Sequence, residues 1–137
     1  MTAARFPFVP RNPALGTASL APLLPITLTL TNTVSVAGLL DTGAMVNVLP
    51  YSVEVQLGAD WDQLTTTIQL TGNLAAIEAR ALAVTGTVGS FAPVRLALAW
   101  VKTDAIPVLL GQVNFFLEFD VCFYRSRGEF DVRPKGP

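Results

Sequence analysis

A carboxylate directly follows an apolar run in the segment Val36-Ala37-Gly38-Leu39-Leu40-Asp41-Thr42-Gly43-Ala44. A strand that is apolar on both faces is typical of a buried position in a sheet. A carboxylate at the end of such a strand needs something that compensates its desolvation. Asp followed by Gly is also ordinary turn chemistry, so the tripeptide Asp-Thr-Gly taken alone favours a plain turn.

The composition favours a single domain with more apolar surface than one core can bury. The 137 residues are 51% hydrophobic and 14% charged, whereas an average soluble domain is roughly 25% charged. A chain of this length most simply forms one domain. The apolar excess therefore predicts a subunit interface or a ligand groove.

Charge, hydropathy and the missing histidine exclude several classes of function. A net charge of −1 and a pI near 5.2 argue against nucleic-acid binding, which needs a basic face. The longest apolar stretches, such as residues 96–101, are too short for a membrane span of roughly 20 residues. The chain has no histidine, so Ser-His-Asp and Cys-His catalysis and histidine metal ligands are excluded.

The single cysteine bears on both location and chemistry. Cys122 cannot form an internal disulfide, and residues 1–7 lack the pattern of a secretory signal, so a cytoplasmic location is expected. Because Cys122 lies in the alternating run 119–123, it is predicted to be a small buried hydrophobe rather than a reactive thiol. Carboxylates are the groups that remain for catalysis.

Short segments of alternating hydrophobicity predict a mostly β protein with a small closed barrel. A short edge strand is expected over residues 6–10, followed by a loop over 11–16. The other predicted strands cover residues 24–30, 34–40, 46–49, 66–70, 75–84, 94–101, 108–110, 119–124 and 129–132.

One or two short helices are expected beside the barrel. Over residues 52–58, Ser52 can cap the start, Leu57 can face inward and Gly58 can end the helix in the left-handed conformation. A second helical turn is predicted over residues 111–116. The predicted organisation is a proline-rich arm over 1–19, one domain over 20–133 and a tail over 134–137.

Four elements, in this order, resemble the retropepsin-like aspartic proteases, the single-domain class that works as homodimers. Apolar-apolar-Asp-Thr-Gly-Ala at residues 39–44 is similar to the family's catalytic loop, and residues 48–50 follow at the usual distance. Residues 57–60 are similar to the short helix that comes next. Residues 108–123 resemble the closing segment, particularly that of small bacterial members. The resemblance covers roughly residues 20–133.

The resemblance implies a role for each matched element and implies no metal or cofactor. Asp41 would be the catalytic carboxylate, and the residues that complete its loop would be Thr42, Gly43 and Ala44. The apolar-Gly element that would pack behind this loop consists of Leu109, Leu110 and Gly111. A flap over the substrate is expected as a hairpin with its tip at Thr71, Gly72, Asn73 and Leu74.

Two features depart from the family's pattern. Retroviral flaps are glycine-rich, whereas this tip contains only Gly72, and a plain hairpin turn is the alternative interpretation of the segment. Asn47 occupies a place where Ser or Thr is common. The flap difference bears on how substrate would be handled, and neither difference touches Asp41.

The mechanism needs two carboxylates that share a proton, but the chain contains one Asp-Thr-Gly. The other aspartates, none of which is followed by Ser/Thr-Gly after an apolar run, are Asp60, Asp62, Asp104, Asp120 and Asp131. The second carboxylate is therefore expected from Asp41 of a second copy, across a two-fold interface. By resemblance the chain ends would interleave in a shared sheet, with residues 130–132 as the candidate strand. The proline-rich start would either join that sheet or form a disordered arm.

Three functions are compatible with the sequence. The first is a homodimeric endopeptidase that hydrolyses peptide bonds with an activated water. The second is a catalytically silent dimer of the same fold that binds peptides or serves assembly. The third is an unrelated small β-barrel for an apolar ligand, in which Asp41 only caps a turn. That third function leaves the apolar-Gly element at 109–111 unexplained.

Overall fold

Short strands make up most of this protein in the computed structural model, which describes residues 2–137. The strands are β1 (Ala4–Pro7), β2 (Val9–Pro10), β3 (Leu20–Ala21), β4 (Leu23–Thr29), β5 (Thr33–Leu40), β6 (Asn47–Leu49), β7 (Ala79–Thr87), β8 (Val94–Val101), β9 (Leu109–Leu110), β10 (Phe119–Tyr124) and β11 (Glu129–Pro134). The α-helices are α1 (Tyr51–Gln56) and α2 (Phe115–Glu118). The 3-10 segments are Pro13–Ser19, Trp61–Gln63, Gly72–Leu74 and Arg125–Arg127.

Six of these strands close into a barrel in the order β4-β5-β9-β6-β8-β7, with β7 returning to β4. The β5–β9 and β6–β8 pairs are parallel, and the other barrel pairs are antiparallel. Alternation places Leu24, Ile26 and Leu28 of β4 in the barrel interior. The predicted fold class is therefore confirmed: the chain is mostly β, with a closed barrel and short helices.

A second sheet, with the order β1-β11-β10, joins the two ends of the chain. Phe130 of β11 is fully buried, and the rings of Phe6 and Phe8 pack against it at centroid distances of 5.5 and 5.9 Å. Arg5 Nε donates to Asp131 Oδ1 at 2.7 Å, and this guanidinium holds the pKa of the Asp131 carboxyl below its usual range. The first strand of the proline-rich arm thus belongs to the same sheet as the chain end.

The position of β11 overturns the expectation that residues 130–132 interleave with a second copy. β11 lies between β1 and β10, so both of its edges already carry backbone hydrogen bonds within one chain. The edge strands of this sheet are β1 and β10. Strand order depends on pairings between distant segments, and the alternation pattern of a single strand does not specify it.

The prediction of a buried Cys122 is wrong. Cys122 is exposed, because the face of β10 that turns inward carries Phe119 and Val121. Cys122 lies opposite Asp131 in the neighbouring strand β11. The alternation of side chains assigns residues to the two faces of a strand. When both faces carry apolar residues, it does not predict which face packs against the core.

The expected hairpin over residues 66–84 is also absent. Instead of a strand over 66–70, the structure has an isolated bridge between Thr67 and Arg80, and β7 begins only at Ala79. The predicted flap tip is the 3-10 turn Gly72–Leu74.

Two backbone hydrogen bonds join Thr66 and Ile68 to β7, and side chains hold other parts of this segment, which we name loop 64–78. Gln69 Nε2 donates to the carbonyls of Leu70 and Ala75 at 3.1 and 2.9 Å. Arg80 Nη1 donates to the carbonyls of Trp61 and Leu64 at 2.6 and 3.1 Å. These side-chain bonds hold the irregular backbone and give its carbonyl groups further donors.

Helix α1 begins one residue before its predicted start and is held differently from the prediction. Pro50 is the N-cap residue, and Asp104 Oδ1 accepts from Ser52 N at 2.8 Å, so the cap comes from a distant loop rather than from Ser52. Leu57 is fully buried as predicted, and Gly58 has φ of 91° at the helix end.

The second helical turn begins at Phe115, later than predicted. No helix in the described residues is long and apolar enough to span a membrane.

Glu54 of α1 is the one carboxyl group buried without compensation in residues 2–137. Its side chain has 0% exposure, and neither carboxyl oxygen has a hydrogen-bond partner. Burial raises the pKa of this carboxyl from 4.5 to about 7, because desolvation disfavours the charged form. Between these pH values the folded chain keeps a proton that the unfolded chain has released, so the free energy of unfolding falls as pH rises.

Replacement of Glu54 by Gln tests this linkage. The contribution of Glu54 to the free energy of unfolding should be fully present below pH 4.5 and should fall by about 3 kcal/mol as pH rises to about 7. Glu54→Gln should lack this loss, which urea denaturation across the pH range measures. Glu78→Gln, which changes an exposed carboxylate, should keep the wild-type profile. Identical pH profiles for wild type and Glu54→Gln would contradict the assignment.

Candidate active site

Strand β5 delivers Asp41 to a loop that backbone hydrogen bonds hold in place. Asp41 N donates to the Leu110 carbonyl at 3.0 Å, and Asp41 O accepts from Ala44 N at 3.1 Å. Its side-chain Oδ1 accepts from Gly43 N at 2.9 Å. In the described residues no hydrogen bond reaches Oδ2, and the residue is partly exposed. One carboxylate oxygen is therefore positioned by the loop while the other remains available.

The apolar-Gly element lies directly behind this loop. β9 runs parallel to β5, with Leu109 opposite Leu39 and Leu110 opposite Leu40. A Cβ atom added to Gly111 would lie 2.5 Å from the Val46 carbonyl oxygen, so only glycine allows this approach of two backbones.

Asn47, noted in the sequence only as a departure from Ser or Thr, is the centre of a buried polar network. Its side chain is fully buried, and Oδ1 accepts from Gly111 N at 2.8 Å. Nδ2 donates to the Ala97 carbonyl at 2.9 Å and to Asn114 Oδ1 at 3.2 Å. Asn114 Oδ1 also accepts from Ala97 N, at 3.0 Å. The network ties β6 and β8 to the element that supports Asp41, and its long sequence separations explain why no local pattern predicts it.

Gln112 holds the loop through both its backbone and its side chain. Gln112 N donates to the Ala44 carbonyl at 2.9 Å, and Nε2 donates to the Thr42 carbonyl at 2.8 Å. Both Gln112 and Thr42 are exposed. The Thr42 hydroxyl makes no hydrogen bond among residues 2–137, so it is accessible to a second molecule.

The Asp41 carboxylate lies at a cavity of about 330 Å³. Asp41 is the only titratable side chain among the residues that line it. Loop 64–78 forms the opposite wall, where the predicted flap residues Thr71, Asn73 and Leu74 lie; Gly72 is not in the lining. The remaining lining residues are Gly43, Ala44, Met45, Val46, Val48, Ile68, Gln69, Leu70 and Leu109.

The cavity suits an apolar ligand with a polar backbone more than an ion. Apart from Asp41, its polar side chains are those of Gln69, Thr71 and Asn73, and they all belong to loop 64–78. No group of three or more acidic or cysteine side chains that could hold a metal ion occurs in the described part of the chain. A carboxylate faced by amide and hydroxyl groups across a partly apolar cleft can orient a peptide and exchange protons with it.

The solved structures include a retropepsin-like aspartic protease from Rickettsia conorii that matches with a TM-score of 0.63. Sequence identity is 16%, and the match covers 96% of this chain and 91% of the other. The chain has a retropepsin-like fold. A protease of EIAV in complex with the inhibitor HBY-793 also matches, with a TM-score of 0.49, 21% identity, 67% of this chain and 82% of the other. No family model matches the sequence, and no curated protein does.

The resemblance drawn from the sequence is confirmed for the fold. The interpretation as an unrelated β-barrel is therefore wrong. Within this retropepsin-like fold, the structure brings Asp41, Gly43, Ala44, Leu109 and most of the predicted flap residues to one cleft. Leu110 and Gly111 lie behind the loop rather than in the lining.

Replacement of Gly111 by Ala tests whether the apolar-Gly element supports the catalytic loop. The added methyl would meet backbone oxygens of Val46 and Ala44 at 2.5 and 2.7 Å, so the loop must shift. Unfolding free energy should fall by roughly 1–3 kcal/mol, measured by chemical denaturation. Gly136→Ala is the control, since a Cβ at Gly136 meets nothing within 4 Å. Equal stabilities of the two variants would show that the close approach is not required.

Proposed function

We propose that this chain is an aspartic endopeptidase that works as a homodimer, with one Asp41 from each subunit. The observation that carries the proposal is the setting of Asp41. It is the one titratable group in the cleft, its Oδ1 is held by Gly43 N, and its Oδ2 has no partner in residues 2–137. A retropepsin-like fold supports this assignment without requiring it.

The chemistry requires two such carboxylates close together. At a separation of about 3 Å both cannot be ionised, so the pair holds one proton. The ionised carboxylate takes a proton from a water molecule, whose oxygen attacks the scissile carbonyl carbon. The protonated carboxyl donates a hydrogen bond to the carbonyl oxygen and then helps to protonate the leaving amine. The C–N bond breaks, and a carboxylic acid and an amine leave without any covalent enzyme intermediate.

The loop supplies the geometry that this chemistry needs. The Gly43 N–H donates to Oδ1, which leaves Oδ2 to contact water or the second carboxylate. Gln112 holds the Thr42 carbonyl from within the chain, so the exposed Thr42 hydroxyl can donate to the second subunit. Support from rigid strands rather than from a mobile loop keeps the carboxylate oriented.

The terminal sheet offers an edge at which a second copy can bind. β1 is a poor edge for pairing, because it carries Arg5 and ends in Pro7, which has no N–H. β10 contains no proline, and apart from Phe119 N, which donates to the Phe115 carbonyl of α2, its backbone bonds to other described segments go to β11. Its Phe123 side chain is 39% exposed. An antiparallel β10–β10 pair across a two-fold axis would continue the sheet through both subunits.

A catalytically silent dimer is the second candidate function, and loop 64–78 favours it. Retroviral-type closure needs a hinged cover, whereas this loop is tied to its own backbone by Gln69 and, at Leu64, to Arg80 of β7. A cover held in this way would permit peptide binding while slowing the closure that catalysis needs.

Replacement of Asp41 by Asn separates the two candidates. Asn keeps an oxygen that accepts from Gly43 N but cannot exchange the proton, so cleavage should fall by about 10²–10⁴-fold while the dimer stays folded. Cleavage profiling of a complex peptide mixture from acidic to neutral pH measures this, with pepstatin in one arm. Asp62→Asn, at an exposed aspartate, should cleave as the wild type does. A wild type that sediments as a dimer yet cleaves nothing would favour the silent dimer.

Replacement of Phe123 by Asp tests the β10 interface. A two-fold axis near the middle of β10 would bring the two introduced carboxylates close together, so the dimer dissociation constant should rise about tenfold or more. Analytical ultracentrifugation measures the shift, and cleavage should recover at high protein concentration. Leu30→Asp is matched, because Leu30 is 38% exposed and lies outside the terminal sheet. If both variants dimerise like the wild type, the subunits meet elsewhere.

A further inference from the structure

Strands β6, β7 and β8 present one continuous face toward the catalytic cleft. Their register places Val48 opposite Ala99 and Ala81 opposite Ala99, so these side chains share one side of the sheet. The other side carries Leu82 and Leu98, which pack into the barrel core. The face that bears Val48 is thus the floor beneath loop 64–78.

Loop 64–78 covers only one end of this face. At the covered end Ala79 and Val101 are buried in the same apolar cluster as Leu70 of the loop. Toward the other end the side chains become accessible, until Ala97 is exposed.

A trough of about 410 Å³ occupies the uncovered part, and we name it the alanine trough. Its floor consists of Ala81, Ala83, Ala97 and Ala99, and its walls include Val46, Ile68 and Val113. Leu82 and Leu98 complete the lining, and no charged residue belongs to it. Alanine methyl groups leave depth above the sheet that longer side chains would fill, so the surface is concave and apolar.

The alanine trough adjoins the catalytic cleft. Val46 and Ile68 line both, so these side chains stand between the two spaces. Val46 lies five residues from the catalytic Asp41 and pairs in an isolated bridge with Val113 of the trough wall. A chain that leaves the cleft between these two side chains would pass directly over the alanines.

We propose that the alanine trough binds an aliphatic side chain of the substrate peptide outside the cleft. The inference rests on the proposed endopeptidase function and adds a substrate class, namely extended peptides with an aliphatic residue at a fixed distance from the scissile bond. The apolar lining disfavours a charged side chain, because burial there would leave the charge without a partner. Successive side chains of an extended peptide alternate in direction, so a single position should carry the selectivity.

The geometry favours peptide over a second copy as the occupant. The trough adjoins the cleft at Val46 and Ile68, whereas the free sheet edge proposed for the subunit interface belongs to β10 of the separate terminal sheet. By alternation the next floor position on β8 beyond Ala97 is Arg95, opposite Thr85, which limits the apolar surface to a short segment. An area of that size suits one or two side chains better than a stable interface between subunits.

The test uses a peptide that the wild type cleaves, in a truncated form and in long forms. The long forms carry Leu or Asp at one position at a time, three or more residues from the scissile bond on either side. The protein variants are Ala83→Asp, in the trough, and Ala92→Asp, at an exposed alanine of the β7–β8 turn. kcat/KM is measured for every pair, and sedimentation is measured for each variant.

Wild type and Ala92→Asp should prefer Leu over Asp at one distal position by roughly tenfold in kcat/KM. Ala83→Asp should lose that preference and cleave the truncated peptide at the wild-type rate. The inference is overturned if the wild type shows no distal preference, if both variants behave alike, or if Ala83→Asp dissociates the dimer. Failure to cleave any peptide would instead overturn the endopeptidase function, and this inference with it.

Discussion

The parallel pairing of β5 with β9 is the constraint on which the candidate site depends. It supplies the bond from Asp41 N to the Leu110 carbonyl and brings Gly111 under the Asp41 loop. The same pairing seats Leu110 on Gly38, where a Cβ would lie 2.7 Å from Leu110 Cδ1. A larger residue at Gly111 would meet the backbone of Val46 and Ala44, whereas one at Gly38 would displace the Leu110 side chain. The carboxylate at the barrel rim is thus supported by a close backbone approach behind it.

Buried hydrogen bonds extend this constraint across the barrel. Asn47 satisfies the Gly111 N–H from β6, and through Asn114 it also reaches β8, so three parts of the chain share one fully buried amide. Each such hydrogen bond contributes roughly 1 kcal/mol to the free energy of unfolding. A buried polar group left without its partner costs more than that, so the network favours this arrangement over alternatives. The contrast with Glu54 is informative, because that buried carboxyl has no partner and its pKa rises.

The high hydrophobic content is divided among several surfaces. Part of it fills the barrel interior, and part forms a second cluster that includes Val48, Leu70 and Leu109 beneath loop 64–78. Other apolar side chains remain accessible to solvent in the single chain, and they lie in the alanine trough and at the β10 edge. An apolar floor that continues from the cleft and an apolar edge strand are the features expected of a small barrel that binds peptides as a dimer.

Local sequence determined the strands and the loop, while tertiary structure decided which edges and faces are free. Alternation predicts β4, β5 and β8, and Asp41-Thr42-Gly43-Ala44 predicts the catalytic loop, because both depend on residues adjacent in the chain. The exposure of Cys122, the central place of β11 and the irregular course of loop 64–78 were not predictable in this way. They follow from pairings between distant segments and from side chains such as Arg80 that donate to backbone carbonyl groups. A two-residue period separates the faces of a strand, but only its neighbours in space decide which face is buried.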